Sequence, residues 1–141
     1  MPDVIPFVEE HIFLVETEFE FSEAARKAIG TNGVMDGYTL LDGDEVLACA
    51  GVSTMWDGVA EGWIVLSKYA IKHRVSVARY TEQLFDGIMK DNSLWRIQAS
   101  VHTTDKKAIR FAQWLGFEYE GVMKKFGPDG SDYFRYARVA Q

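Results

Sequence analysis

The clearest signal along the chain is a change of period in its hydrophobic positions. Trp95, Ile97, Ala99 and Val101 alternate strictly with Arg96, Gln98, Ser100 and His102, the period of two that marks a strand with one buried face. Upstream, Val77, Tyr80, Leu84 and Ile88, with Phe85 and Met89 alongside, recur at three and four residues. That spacing predicts an amphipathic helix running from Ser76 and ending before Asp91-Asn92-Ser93. Gly62-Trp63-Ile64-Val65-Leu66 is apolar at successive positions, which predicts a strand covered on both faces in the middle of a sheet.

Residues 38–41 and 45–52 are apolar runs joined by Asp42-Gly43-Asp44, where Gly43 supplies the positive backbone angle of a tight antiparallel hairpin. Thr104 can cap a second helix with the stripe Ala108, Phe111, Ala112 and Leu115, closed by Gly116 in the left-handed conformation. Residues 117–126 and 133–139 read as two strands around Gly127-Pro128-Asp129-Gly130, a turn with proline and glycine in suitable places. Near the N-terminus Phe13, Val15, Phe19 and Phe21 alternate with Leu14, Glu16, Glu18 and Glu20. The alternation reads as strand, with a helix left open as the alternative. Residues 23–29 follow as a helix behind Ser22 and stop near Gly30 and Asn32-Gly33. The order of elements predicts an α/β layer fold with a mixed sheet.

Composition narrows the function classes. At 141 residues, with 48% hydrophobic and 26% charged, residues 1–141 suit one domain with a core and neither a disordered nor a fibrous chain. Fifteen Lys and Arg against 21 Asp and Glu give a net charge of -6, which argues against nucleic acid as a partner. The single Cys49 excludes an internal disulfide and a multi-thiolate zinc site. The three histidines offer no ligand pair at helical spacing, so no metal is expected. Asp3, Glu9 and Glu10 stand where a signal peptide would be basic, and no apolar run reaches the roughly 18 residues of a membrane span. The expectation is a soluble cytoplasmic chain with no membrane partner.

Between Glu61 and Glu82 there is no acidic residue, whereas Lys68, Lys72, Arg74 and Arg79 supply positive charge and His73 a further titratable group. In an acidic chain this is a local reversal, and it falls where the buried strand feeds the long helix. Helix N-termini present unpaired backbone N–H groups and partial positive charge, so a basic loop entering one suits phosphate or diphosphate. An ordinary solvated turn explains the same charges, and the sequence leaves both open.

Ile97-Gln98-Ala99-Ser100-Val101 followed by the run from Asp105 to Glu118, with Ala-x-x-x-x-x-x-Leu-Gly-Phe from Ala108 to Phe117, resembles the GNAT superfamily of acyl-CoA N-acetyltransferases. The resemblance spans residues 38–139. It implies a mixed, mostly antiparallel sheet with helices on both faces, splayed between the fourth and fifth strands. Acetyl-CoA would then be the co-substrate. Its pantetheine arm would pair with backbone near Val65 and Leu66, and its diphosphate would lie on the loop formed by Lys72, His73, Arg74, Ser76, Val77 and Ala78. The acceptor implied is a small-molecule or peptide amine.

Against the family's phosphate-loop pattern, His73-Arg74-Val75-Ser76-Val77-Ala78 matches only at the last position, with Ser76 where a glycine is usual. Asp105 stands where the family often has Asn on the cofactor side, and Ala112 where it often has a Tyr general acid. The resemblance implies Glu61 as base, since the family often places a carboxylate there. An exposed Glu beside a turn is the plainer alternative. His102 has a suitable ordinary pKa for proton transfer, or is a solvated strand-end residue. Trp63, Trp95 and Trp114 follow core-facing patterns, Trp56 lies in an inter-strand loop, and Cys49 between two alanines reads as a small buried hydrophobe. Compact GNAT-like proteins of tailed bacteriophages share the short N-terminal third and the altered loop. That similarity implies, as the alternative, a binding or structural module with virion proteins as partners, in the host cytoplasm or the virion.

Overall fold

The computed structural model describes residues 3–17 and 36–141. Its strands are β1 (Asp3–Pro6), β2 (Asp36–Asp42), β3 (Glu45–Trp56), β4 (Val59–Leu66), β5 (Arg96–His102), β6 (Glu118–Met123) and β7 (Tyr133–Val139). They form one sheet in the order β1-β2-β3-β4-β5-β7-β6. Every neighbouring pair is antiparallel except β4 and β5. Two helices are described, α1 (Arg74–Asp91) and α2 (Lys106–Trp114), with short 3-10 turns at Glu9–Phe13 and Lys68–His73.

The β2–β3 hairpin turns at Gly43, whose φ of 60° is the left-handed conformation expected for it. β4 is covered on both faces, as its unbroken apolar run requires: Ala60 packs in one buried cluster and Val65 in another. On the helix side, Phe85, Ile88 and Met89 of α1 and Ala112 of α2 meet Val52, Ala60 and Ile97. On the other side Ile12 and Val15 cover Cys49 and Val65, with Phe7 edge-on to Trp63 at 4.8 Å. Both described helices therefore share one face. The 3-10 turn at Glu9–Phe13 covers part of the other. The helix expected over residues 23–29 lies outside the described residues.

Other expectations are corrected. Phe13 ends a 3-10 turn, half exposed, and Val15 is buried in irregular chain, so residues 13–17 form no strand, while residues 18–21 of that expected strand lie outside the described residues. The first strand instead lies upstream, at Asp3–Pro6, too short for an alternating pattern to show. Asp105, not Thr104, caps α2, accepting the Ala108 N–H at 3.2 Å. Trp95 and Trp114 are more than half exposed rather than core, and Trp56 is the exposed end of β3 rather than loop. Cys49 is fully buried, as expected of a small hydrophobe. Among the described residues no helix is long and apolar enough to cross a membrane.

The feature that positions the site is a fork in the sheet. β4 and β5 pair from Val59↔Arg96 to Gly62↔Ala99 and then part. Beyond Gly62, residues 63–66 keep their β3 partners down to Ala48↔Leu66, while β5 continues only on β7, to His102↔Tyr133. Gly62 is required at the fork. A Cβ there would stand 2.7 Å from the Ile97 Cγ2, closer than real side chains approach.

Candidate functional site

Two openings lie near the fork. The first, about 460 Å³, lies between the start of α1 and the flank of α2 and is lined by Leu66, Ser67, Arg74, Val77, Ala78, Lys107, Arg110 and Trp114 among others. The second, about 560 Å³, is lined by both lips of the fork, Gly62, Trp63 and Ile64 on β4 and Ala99, Ser100 and Val101 on β5. Its walls include Phe85, Ala108 and Ala112 from the helix face and Glu61, Tyr133 and Arg135 from the opposite face. Register places Glu61, Ser100 and Arg135 on the side of the sheet away from Ile97 and Tyr136. Side chains from both faces can line one cavity only where it passes through the sheet, and the fork is that place.

The first opening is cationic and apolar together. No side chain caps the N-terminus of α1 and no acidic residue lies in its first turn, so its partial positive charge is not offset locally. Arg74 faces Lys107 and Arg110 across the cleft, with Ile71, Val75 and Trp114 as exposed apolar edges. Two other hinge residues are engaged elsewhere. His73 pairs with Asp42 on the β2–β3 hairpin at 3.0 Å, and Lys68 with Glu16 at 3.5 Å. Lys72 and Ser76 are not among the lining residues, and Val65 turns its side chain into the opposite core. Of the residues singled out by the loop pattern, the fold thus brings Leu66, Arg74, Val77 and Ala78 together. It adds Lys107, Arg110 and Trp114, which sequence reasoning missed. The three-residue spacing of Lys107 and Arg110 puts both on one helix face, but their facing Arg74 is a tertiary fact.

In the second opening Glu61 is held firmly. Its Oε1 accepts from the Ser100 hydroxyl at 2.7 Å, and Arg135 Nη1 donates to both carboxylate oxygens at 3.2 and 2.9 Å. His102 accepts the Thr104 N–H on Nδ1 at 3.2 Å, which in the neutral ring places the proton on Nε2. Its ring is edge-on to Tyr133 at 5.2 Å. Burial, with Asp129 and Asp105 nearby, pushes the Tyr133 phenol up, so it keeps its proton and can donate. Asp105 lines this opening rather than the first. Burial raises its carboxyl above the ordinary range, partly opposed by the Ala108 N–H. Ser100, Tyr133 and Arg135 also went unpredicted, because Arg135 stands 74 residues from the Glu61 it pairs with.

The fold as a whole is one that solved structures share. The chain has the GNAT acetyltransferase fold. A GNAT-family acetyltransferase from Streptococcus pneumoniae superposes with a TM-score of 0.72 at 12% identity, covering 99% of this chain and 100% of that one. A ribosomal-protein-alanine N-acetyltransferase from Escherichia coli matches with a TM-score of 0.71 at 18% identity, covering 99% and 94%. A microcin self-immunity acetyltransferase solved with acetyl-CoA and AMP matches with a TM-score of 0.63 at 16% identity, over 74% of this chain and 60% of that one. No family model and no curated protein sequence matches the chain.

Proposed function

We propose that the protein is an acetyl-CoA-dependent N-acetyltransferase acting on a primary amine. The observation that carries this reading is the through-sheet cavity at the fork, adjoining a cleft that has Arg74, Lys107 and Arg110 at its mouth. The fit to acetyl-CoA rests on this chain's own groups. Three cations and an uncapped helix N-terminus suit phosphates, and Trp114 offers an exposed ring for a base. The edge of β4 beyond Gly62, unpaired on its β5 side, offers backbone N–H and C=O groups to an extended amide-bearing arm.

Transfer by direct attack starts from the ammonium form: one proton leaves nitrogen by way of Glu61 to solvent, the nitrogen joins the acetyl carbon as the carbon–sulfur bond breaks, and a second nitrogen proton balances the one the thiolate takes up. Glu61 is proposed to accept the hydrogen of the incoming amine. Its Oε2 carries a single described hydrogen bond, and a carboxylate oxygen can accept another. His102 is proposed as a donor through Nε2 rather than as the base, because Nδ1 is already an acceptor. Asp105 is proposed to act on the cofactor side only by capping α2. Lys72, Ser76 and Val65 contribute no side chain to the cleft in this reading.

The alternative reading is a phage GNAT-fold binding or structural module with little catalysis, which a melting point unmoved by millimolar acetyl-CoA would favour. Acetyl-CoA binding by calorimetry, followed by thiol release with a panel of amines, tests the proposal. A chain that binds acetyl-CoA at no concentration up to 1 mM would refute it.

A further inference from the structure

The second opening has a charge pattern that selects among amines. Its ionised acid, Glu61, is already matched by Arg135, with both side chains partly withdrawn from water at 29% and 18% exposure. A polyamine needs acids in excess to hold its second and third ammonium groups. Apart from Glu61, the cavity's carboxylate is Asp105, which is tied to the Ala108 N–H. Among the described lining residues a polycation therefore finds, beyond the paired Glu61, a single carboxylate that already caps a helix.

Arg135 itself is only half used. A guanidinium has five N–H donors in a planar fork. Nη1 serves Glu61, and the described partner of Nη2 is the Met123 thioether at 3.1 Å, a weak acceptor. The cation lies over the Phe126 ring, 5.8 Å from its centroid. Trp63 lines the same cavity with its ring, which also packs edge-on against Phe7.

We propose that the acceptor is a free α-amino acid with an apolar side chain, bound as a zwitterion across the Glu61–Arg135 pair. Its amino group rests on Glu61 and its carboxylate takes the unfilled Nη2 and Nε edge of Arg135. Its side chain lies against Trp63, Phe126 and Tyr133. An acid and a base already paired with each other are a ready receptor for a molecule carrying the same two charges. Inserting the zwitterion exchanges one pair for two without burying net charge. A peptide N-terminus would put a neutral amide where the carboxylate goes, and so forgo the stronger charge-assisted hydrogen bond. The cavity, about 560 Å³, is of small-molecule size.

This inference rests on the acetyl-transfer reading, and the experiment separates the two. Thiol release from acetyl-CoA is followed with phenylalanine, phenylalaninamide, phenethylamine, an alanine-initiated tripeptide and spermidine. Phenylalanine should exceed phenethylamine and the amide in kcat/KM by about tenfold to a hundredfold, the loss expected for one charged hydrogen-bonded contact. In Arg135→Lys, with acetyl-CoA affinity unchanged as the sign of an intact fold, that ratio should shrink severalfold. Equal rates with phenethylamine or spermidine would overturn the proposal while leaving acetyl transfer intact. So would an unchanged ratio in Arg135→Lys, or no acceptor activity in a chain that binds acetyl-CoA. If acetyl-CoA itself does not bind, the transfer reading falls. Calorimetry of phenylalanine against phenethylamine then decides the receptor alone, and absence of phenylalanine binding at 10 mM overturns it.

Discussion

Replacing Arg110 by Ala should weaken acetyl-CoA binding by about thirtyfold. A guanidinium–phosphate hydrogen bond contributes about 1.5–3 kcal/mol, and about 1.4 kcal/mol is tenfold in affinity. Arg110 is exposed on α2, so solvent and salt keep the loss near the middle of that range. At a concentration 100 times the wild-type dissociation constant, ligand stabilises the fold by about 2.7 kcal/mol. After a thirtyfold loss the same concentration gives about 0.9 kcal/mol by the same relation. For a chain of this size each kcal/mol moves the melting point by about 3 °C, so a ligand-induced shift of about 8 °C should fall to about 3 °C. Arg74→Ala should behave alike, since Arg74 lines the same cleft. Lys72→Ala is the control. It belongs to the same basic segment but stands outside the cleft lining, and should change affinity by no more than about twofold. Calorimetry at two salt concentrations and thermal melts measure all three variants. Equal losses in Lys72→Ala and Arg110→Ala would mean that general charge, not the cleft, attracts the ligand. Wild-type affinity in both arginine variants would refute the phosphate site.

Glu61→Gln should lower turnover by about a hundredfold or more, the typical contribution of a positioned base, with acetyl-CoA affinity unchanged; full activity in a steady-state thiol-release assay removes Glu61 from the chemistry. Asp105→Asn should stabilise the protein at pH 7. The folded-state pKa of Asp105 is raised by burial, so its ionised form opposes folding above that pKa, and the penalty fades as pH falls below the ordinary carboxylate pKa of about 3.9. Denaturant melts at pH 7 and pH 3 check this, and an equal effect at both would contradict it. Gly58→Ala should destabilise by about 2–4 kcal/mol, combining left-handed strain and overpacking, because φ is +85° and a Cβ would fall 2.2 Å from the Trp95 ring. Gly130→Ala, at φ +82° with open space, should cost only about 1 kcal/mol; similar values for the two in urea melts would mean that Trp95 does not pack there.

Much of the sheet was legible because burial on both faces leaves a distinctive run. Residues 62–66 are apolar at every position, and they form the half of β4 that keeps β3 but loses β5 at the fork, with Val65 buried on one face and Leu66 packed on the other. The stripe through Val77, Phe85 and Ile88 likewise marked the buried side of α1. Period failed where an element is short or its apolar residues serve a cleft. Trp114 lies three residues beyond Phe111 on α2, next to the core stripe, yet that flank borders the opening and not the core. Trp95 precedes its strand and covers Gly58 instead of entering the interior. The basic hinge was visible as a charge reversal, but its division of labour was not: His73 and Lys68 are drawn off by Asp42 and Glu16, contacts that exist only once the hairpin and the N-terminal segment have docked. Arg135 carried no local signal at all, since its meaning depends on Glu61 two strands away in the sheet order.

Hydrogen exchange with and without acetyl-CoA tests the fork as the binding element. Amides of residues 63–66 that β3 leaves unpaired, together with those of the first turn of α1, should slow on addition of acetyl-CoA, while β6 and β7 remain as they were. Protection confined to the molecular surface away from β4, or none at saturating ligand, would contradict a co-substrate threaded between β4 and β5.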